Sequence, residues 1–335
     1  MASVDRVQYY SLVILTAIAI TGALSYTKPV LVPFAFSLLL FGLISPAMFY
    51  IQEKFSFPRW LAIFTVFTSI LVCFAGLMIL IINSFGEFLK GADTYKALIV
   101  QTIENGQDFA ARLGFQLNAD ELANEIKSLP LLRYLQGFSG GLFSILGNSV
   151  LILVFLLFLL LGAVNKPGSE MMQEIQIKVS KYLLTKMLVS LATAVSVWVV
   201  LGVFGVDLAF LFAVLTFLLN FIPSLGSILA TLLPLPVILL QYGFGGTLVA
   251  VALLCFFIQF VIGNVIEPKF MGEHLDLHPV TLLMSLIFWG LVWGLPGMFL
   301  AVPITAILKI IFTRLPNLQV VSEIMAGRIS QLEKA

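Results

Sequence analysis

Charged side chains divide this chain into long apolar stretches. No Asp, Glu, Lys or Arg occurs in 7–27, 29–52, 60–86, 134–165, 187–206, 208–266 or 277–308. A helix of about 20 apolar residues crosses the hydrocarbon core of a bilayer. A charge at mid-bilayer costs roughly 2.5–3.5 kcal/mol on insertion scales. The uncharged stretches therefore predict spans: 7–26, 29–51, 60–83, 141–164, 187–206 and 208–220, one more late in 208–266, and one in 277–308. The pattern predicts an all-α polytopic membrane protein with about eight transmembrane helices, organised as a single membrane domain over 1–335.

Two stretches break the apolar pattern. Residues 84–140 hold five Lys/Arg and seven Asp/Glu, with apolar residues spaced rather than continuous. Asn118 to Glu121 has the spacing of a capping box, and Leu122, Ile126 and Leu129 follow on one helical face before Pro130. This predicts a small extramembrane helical hairpin. Residues 165–186 carry Lys166, Lys178, Lys181 and Lys186 against Glu170 and Glu174, and read as a polar loop.

The C-terminal half breaks the rules for lipid-facing helices. The 208–266 stretch contains Pro223, Pro234 and Pro236 with Gly226, Gly243, Gly245 and Gly246, yet no charge. Two spans leave about 19 residues over. An unpaired backbone amide facing lipid costs several kcal/mol, so the excess predicts a re-entrant or broken segment shielded by protein, with a ninth true span, which would put the C-terminus outside against the charge rule, as the alternative. A second interruption, 288–298, packs Gly290, Gly294, Pro296 and Gly297 between Trp289, Trp293 and Met298. Glycines there allow close helix approach, and the two tryptophans read as interfacial anchors. Two interrupted apolar segments in one half of a membrane protein point to a transport site, which places the transport core in 208–313.

Composition supports this architecture. The chain is 335 residues, 60% hydrophobic and 10% charged, with net charge +1. A soluble domain carries about 25% charged residues. No field exists to attract nucleic acid. Basic residues of the short loops and termini fall on one side if spans alternate: Arg6, Lys54, Arg59, the lysines of 166–186, Lys309, Arg314, Arg328 and Lys334. The positive-inside rule then puts both termini and the 165–186 loop in the cytoplasm and the 84–140 hairpin outside the cell (inner) membrane. Cys73 and Cys255 lie inside apolar stretches and read as packing residues.

Candidate chemistry centres on 263–279. Glu267 is the acidic group best placed to titrate in a cavity. Asn264 lies one helical turn before it and Asn220 supplies a further polar contact; the alternative reading is an interfacial charge paired with Lys269 across Pro268. His274, Asp276 and His278 lack a recognised zinc spacing, so no metal and no cofactor is expected. The chain has no phosphate-binding Gly-x-x-x-x-Gly-Lys-Ser/Thr motif. Asp207 is the one acid beside a span in that region and no second aspartate lies at matching depth to form a catalytic pair, so an intramembrane enzyme is not expected.

Several of these segments carry a family resemblance. Asn220-Phe-Ile-Pro-Ser-Leu-Gly226, Gly263-Asn-Val-Ile-Glu-Pro268, Leu277-His-Pro279, Trp289-Gly-Leu-Val-Trp-Gly-Leu-Pro-Gly297 and Ala301-Val-Pro303 resemble the autoinducer-2 exporter family of permeases. Ser227 departs from the proline that many relatives carry after the glycine. The resemblance implies a multi-pass exporter of a small polar solute, such as an autoinducer-2-like signal, assembled as a homo-oligomer, with a pentamer as the implied size. It also leaves open sodium/proton antiport, with H⁺ or Na⁺ as the ion moved. A non-transporting membrane assembly partner remains a further reading. The candidate pathway is Asn220, Pro223, Gly226, Asn264, Glu267, Pro268, Lys269, Trp289, Gly290, Trp293, Gly294 and Gly297.

The orientation has a direct test. In a background without Cys73 and Cys255, a cysteine replacing Asn118 reacts with an impermeant thiol reagent added to intact cells. One replacing Met172 reacts only after the cells are opened. The opposite pattern reverses the assignment.

Overall fold

The computed structural model describes residues 2–90, 149–163, 170–243, 245–271 and 276–328. Among these residues there is no strand; the helices are α1 (Ala2–Tyr26), α2 (Lys28–Phe55), α3 (Arg59–Lys90), α4 (Ser149–Gly162), α5 (Glu170–Val203), α6 (Ala209–Leu219), α7 (Leu225–Leu232), α8 (Leu235–Tyr242), α9 (Gly246–Val261), α10 (Glu267–Met271), α11 (Pro279–Trp293), α12 (Leu295–Arg314) and α13 (Gln319–Met325). The all-α polytopic class holds. Six described helical segments are long and apolar enough to cross a membrane: Lys28–Phe55, Arg59–Asn83, Glu170–Val203, Leu225–Tyr242, Gly246–Ile266 and Leu295–Arg314. Four shorter apolar helices accompany them.

The helices do not match the predicted spans one for one. The predicted sixth span is the 11-residue α6, about 17 Å long, well short of the hydrocarbon core. The last apolar stretch is not one interrupted span. Gly294, at φ 71°, reverses the chain, and α11 and α12 run back along each other as an antiparallel hairpin. The 165–186 stretch is not a loop from Glu170 onward, because α5 runs unbroken from there to Val203. Its lysines lie on a continuous helix whose buried face carries Val179, Tyr182, Leu183, Lys186, Val189 and Ser190 at helical spacing. Residues 84–90 extend α3, and the rest of the predicted outside hairpin, with its capping box at Asn118, lies outside the described residues.

The chain divides into two compact units. The first comprises 1–67, 147–184 and 273–335. Here the small residues of α2 admit α5: the Ser180 hydroxyl donates to the Gly42 carbonyl at 2.6 Å. Arg59 donates to the carbonyls of Leu160, Leu161 and Ala163, so the open end of α4 is capped by a cation, the favourable sign for a helix C-terminus. The α11–α12 hairpin is the core of this unit. Trp289 and Trp293 are 7% and 4% exposed, so they are packing residues of the hairpin and not interfacial anchors. The indole of Trp293 donates to the Leu24 carbonyl at 3.0 Å and ties α1 to the hairpin. Ser285 donates to Ala301 across it.

The C-terminus closes this unit. Asp276 pairs with Lys309 and Arg328, Arg328 also pairs with Glu323, and the His278 amide donates to the Met325 carbonyl. Burial works against the Asp276 carboxylate, but hydrogen bonds and charge from Lys309, then Arg328, outweigh it and hold its pKa below the ordinary aspartate value. The Arg328 hydrogen bond likewise lowers Glu323.

The second unit comprises 68–146 and 185–272. Its core packs Leu201, Phe212, Ile238, Val251 and Cys255. The connection between α5 and α6 is stapled to the end of α8. Tyr242 donates to the Phe204 carbonyl at 2.5 Å, and Gln241 accepts from the Asp207 amide at 3.0 Å. Between α6 and α7 the chain turns sharply over 220–224, where Ser224 takes φ 61°. A side chain at Gly226 would overlap the Leu219 carbonyl, so only glycine lets α7 start this close to α6. The Phe221 and Ile222 amides of the turn donate to the Leu218 and Leu219 carbonyls at the end of α6.

The closest backbone approach in the first unit predicts a selective effect. A Cβ at Gly297 would overlap the Trp289 carbonyl, whereas one at Gly202 meets nothing within 4 Å. Gly297→Ala costs about 3 kcal/mol or more, seen as a lowered unfolding temperature in detergent. Gly202→Ala leaves that temperature unchanged or slightly raised. Equal behaviour of the two variants removes the close-approach role.

Candidate functional site

Several described polar groups of the second unit line one cleft. The α9 helix does not end at Val261 but widens into a π-turn over Ile262–Ile266 before α10 begins. Single π-turns inside helices recur at functional sites. An extra residue in a turn rotates the succeeding residues by about 100°, since each residue advances a helix by that angle. Glu267, the first residue after the turn, points at α5 and accepts a hydrogen bond from Lys186. The pair is deeply set, with side-chain exposure of 3% for Lys186 and 18% for Glu267.

Around this pair lies a cleft of about 480 Å³. Lys186 enters from α5, Asn220 and Pro223 from the α6–α7 turn, Ser227 and Thr231 from α7, Gln259 from α9, and Asn264 and Glu267 from the π-turn and α10. Phe256, Phe260, Ile228 and Leu232 supply its apolar walls. Asn220 is buried and donates to the Ser190 hydroxyl at 3.2 Å, which fixes the turn against α5. Asn264 donates to the Phe260 carbonyl at 3.1 Å, one helical turn back. Gln259 is buried, and its amide nitrogen has no hydrogen-bond partner. A buried unpaired donor costs about 1–3 kcal/mol, so this group is held in an unsatisfied state.

Such a chamber can bind a small molecule. Its charges cancel within one ion pair, its other polar groups are amides and hydroxyls, and its walls are apolar. Clefts of roughly 300–1,000 Å³ with few placed polar groups are the usual form of small-ligand sites. Ionisable residues among apolar helices mark solute or ion pathways.

The sequence itself decides the class of protein. Residues 11–317 match the sequence profile of the AI-2E family of transporters. The chain belongs to this family. It is 30% identical over 305 residues to the AI-2 transport protein TqsA of Escherichia coli (strain K12), covering 88% of each chain. It is 32% identical over 327 residues to a protein of Haemophilus influenzae named "Putative transport protein", covering 91% of this chain and 92% of that one. The chain is thus a multi-pass membrane protein of a transporter family.

Of the pathway residues expected in the sequence, Asn220, Pro223, Asn264 and Glu267 line the cleft, and Gly226 is buried beside its turn. Pro268 lies in α10. Lys269 is exposed and is not the partner of Glu267. Residues two apart on a helix do not face each other, so the cation nearest in sequence is the wrong one. Trp289, Gly290, Trp293, Gly294 and Gly297 belong to the α11–α12 hairpin of the first unit and are not among the residues lining this cleft. They serve its close packing: a Cβ at Gly290 would press on the Met298 side chain. The sequence pattern does not single out Lys186, Ser190 or Gln259 as site residues. Lys186 is legible in one respect: extending the buried α5 stripe backward through Val189 and Lys186 to Leu183 and Tyr182 puts this lysine on the inner face.

The pair's energetics can be measured directly. Removing one member strands the other buried charge at about 3–5 kcal/mol, whereas removing both is far milder. Lys186→Met therefore unfolds at a lower temperature in detergent than wild type, and Lys186→Met with Glu267→Gln recovers most of the loss. A double variant as unstable as the single one would show that the two groups are not coupled.

Proposed function

We propose that this protein exports a small polar solute across the cell membrane, with the cleft at Lys186 and Glu267 as the solute site and a proton on Glu267 as the coupling ion. The observation that carries this is a buried, charge-balanced ion pair inside a polar chamber built from apolar helices. A carboxylate there can accept a proton without admitting a new ion, because the Lys186 ammonium already holds the cation position beside it. That favours a proton over Na⁺ as the coupling ion. Protonation of Glu267 removes the attraction that holds Lys186, so the contact between α5 and α10 is made and broken with the proton. TqsA is named for AI-2 transport, and an autoinducer-2-like signal is the cargo class we propose for this chain. Both termini face the cytoplasm in this scheme, and the chain works as a homo-oligomer, with a pentamer as the proposed size.

The test is uptake into inverted membrane vesicles, with and without a proton gradient, using a small furanosyl signal and, separately, ²²Na⁺. Wild type moves the furanosyl solute in a gradient-dependent way. Glu267→Gln loses gradient-driven movement at least tenfold when the rate is normalised to folded protein, and Glu267→Asp retains part of it. Normal, equally pH-dependent movement in Glu267→Gln would remove the carboxylate from the coupling step. Gradient-driven movement of Na⁺ alone would identify an antiporter instead.

A further inference from the structure

We propose that Gln259 is the specificity-determining contact of the cleft: its carboxamide reads an acceptor oxygen on an uncharged, hydroxyl-bearing solute, while the closed Lys186–Glu267 pair turns ions away. The inference rests on the export reading above, and it assigns the selection of cargo to a residue outside the coupling pair.

Three observations carry it. First, Gln259 is only 5% exposed, lines the cleft, and has an amide nitrogen without a partner. Rotation about the last side-chain bond exchanges the amide nitrogen and oxygen, so the carboxamide can present a donor to the chamber at little steric cost. Second, the charges among the described lining residues are one lysine and one glutamate, and these pair with each other. An anion must compete with Glu267 for Lys186, and a cation must compete with Lys186 for Glu267. An uncharged solute faces neither competition. Third, the remaining polar lining is made of short neutral groups, Asn220, Ser224, Ser227, Thr231 and Asn264, and Phe256 and Phe260 are among its apolar walls. Hydroxyls can both donate to and accept from such groups, and the carbon skeleton of a small polyol can lie against the rings.

A site that hydrogen-bonds its solute discriminates strongly against analogues that cannot complete the bond, because its own buried groups are then left unpaired. Gln259 is the group in this cleft already in that state, so it gains most from the occupant.

Occupancy can be read without transport. In a chain carrying Cys73→Ser, Cys255→Ala and Ser227→Cys, the rate of alkylation by a small neutral maleimide reports access to the cleft. Erythritol, erythronate and NaCl are the probes, each at matched osmolarity. Erythritol slows alkylation at least threefold, and erythronate and NaCl do not. Adding Gln259→Leu, close in volume but without the amide, abolishes the erythritol protection. Adding Gln259→Asn retains part of it. Circular dichroism and size-exclusion profiles confirm that both variants fold.

Protection by erythronate or NaCl equal to that by erythritol overturns the exclusion of ions. Undiminished erythritol protection in Gln259→Leu overturns the role of Gln259, and absence of protection by all three probes overturns the inference as a whole. Protection that depends on Gln259, in a protein that moves nothing in the vesicle assay, leaves the inference standing and sinks the export reading. Export that depends on Glu267 but not on Gln259 does the reverse.

Discussion

A lysine held at 3% exposure among apolar helices needs a carboxylate beside it, and the second unit is arranged around meeting that need. Taking an ammonium and a carboxylate out of water costs several kcal/mol each, and only good geometry recovers it. The partner comes from 81 residues away, so no local rule supplies it. It is delivered by the π-turn over Ile262–Ile266, which turns α10 relative to α9 and aims Glu267 at α5. The same π-turn carries Asn264 into the chamber wall. One helical irregularity thus builds both the ion pair and the cleft around it.

The second constraint is that apolar helices gain little from burying apolar surface when their surroundings are apolar too. Packing then depends on close backbone approach and on a few hydrogen bonds between helices. Both units follow this rule. Gly226 lets α7 start against the Leu219 carbonyl, and Gly297 lets α12 start against the Trp289 carbonyl. Asn220 bonded to Ser190 in one unit, and Ser285 bonded to Ala301 in the other, lock the helices so brought together. A glycine just after a turn is therefore a joint in each unit, although only the turn at 220–224 faces the cleft.

Charge is concentrated where helices end. Arg59 covers the last carbonyls of α4, and Asp276 gathers Lys309 and Arg328 at the start of α11. Glu174 bridges Lys178 and Arg314 in the same unit. These contacts fix helix ends through electrostatics, whereas the Lys186–Glu267 pair stands between apolar walls. That difference in surroundings is why the latter is the candidate for function.

The all-α membrane architecture was legible in the sequence because the cost of a charge in hydrocarbon is large and local. Each uncharged stretch had to become helix, and α2, α3, α9 and α12 lie where the stretches put them. The breaks were legible too, since Pro223 and Gly294 disturb a helix whatever surrounds it. Asn220, Asn264 and Glu267 stood out as polar groups beside those breaks. What an interruption becomes was not legible: the 208–220 stretch folds as an 11-residue helix, and the 277–308 stretch folds as a hairpin, because chain reversal depends on the neighbour that receives the returning helix. The partner of Glu267 was decided only in three dimensions. Sequence proximity favoured Lys269, but helical phase turns it away, and the π-turn that sets the phase has no composition signal. Gln259, one polar residue in a long apolar run, acquired meaning only when tertiary structure buried its amide beside the cleft without a partner.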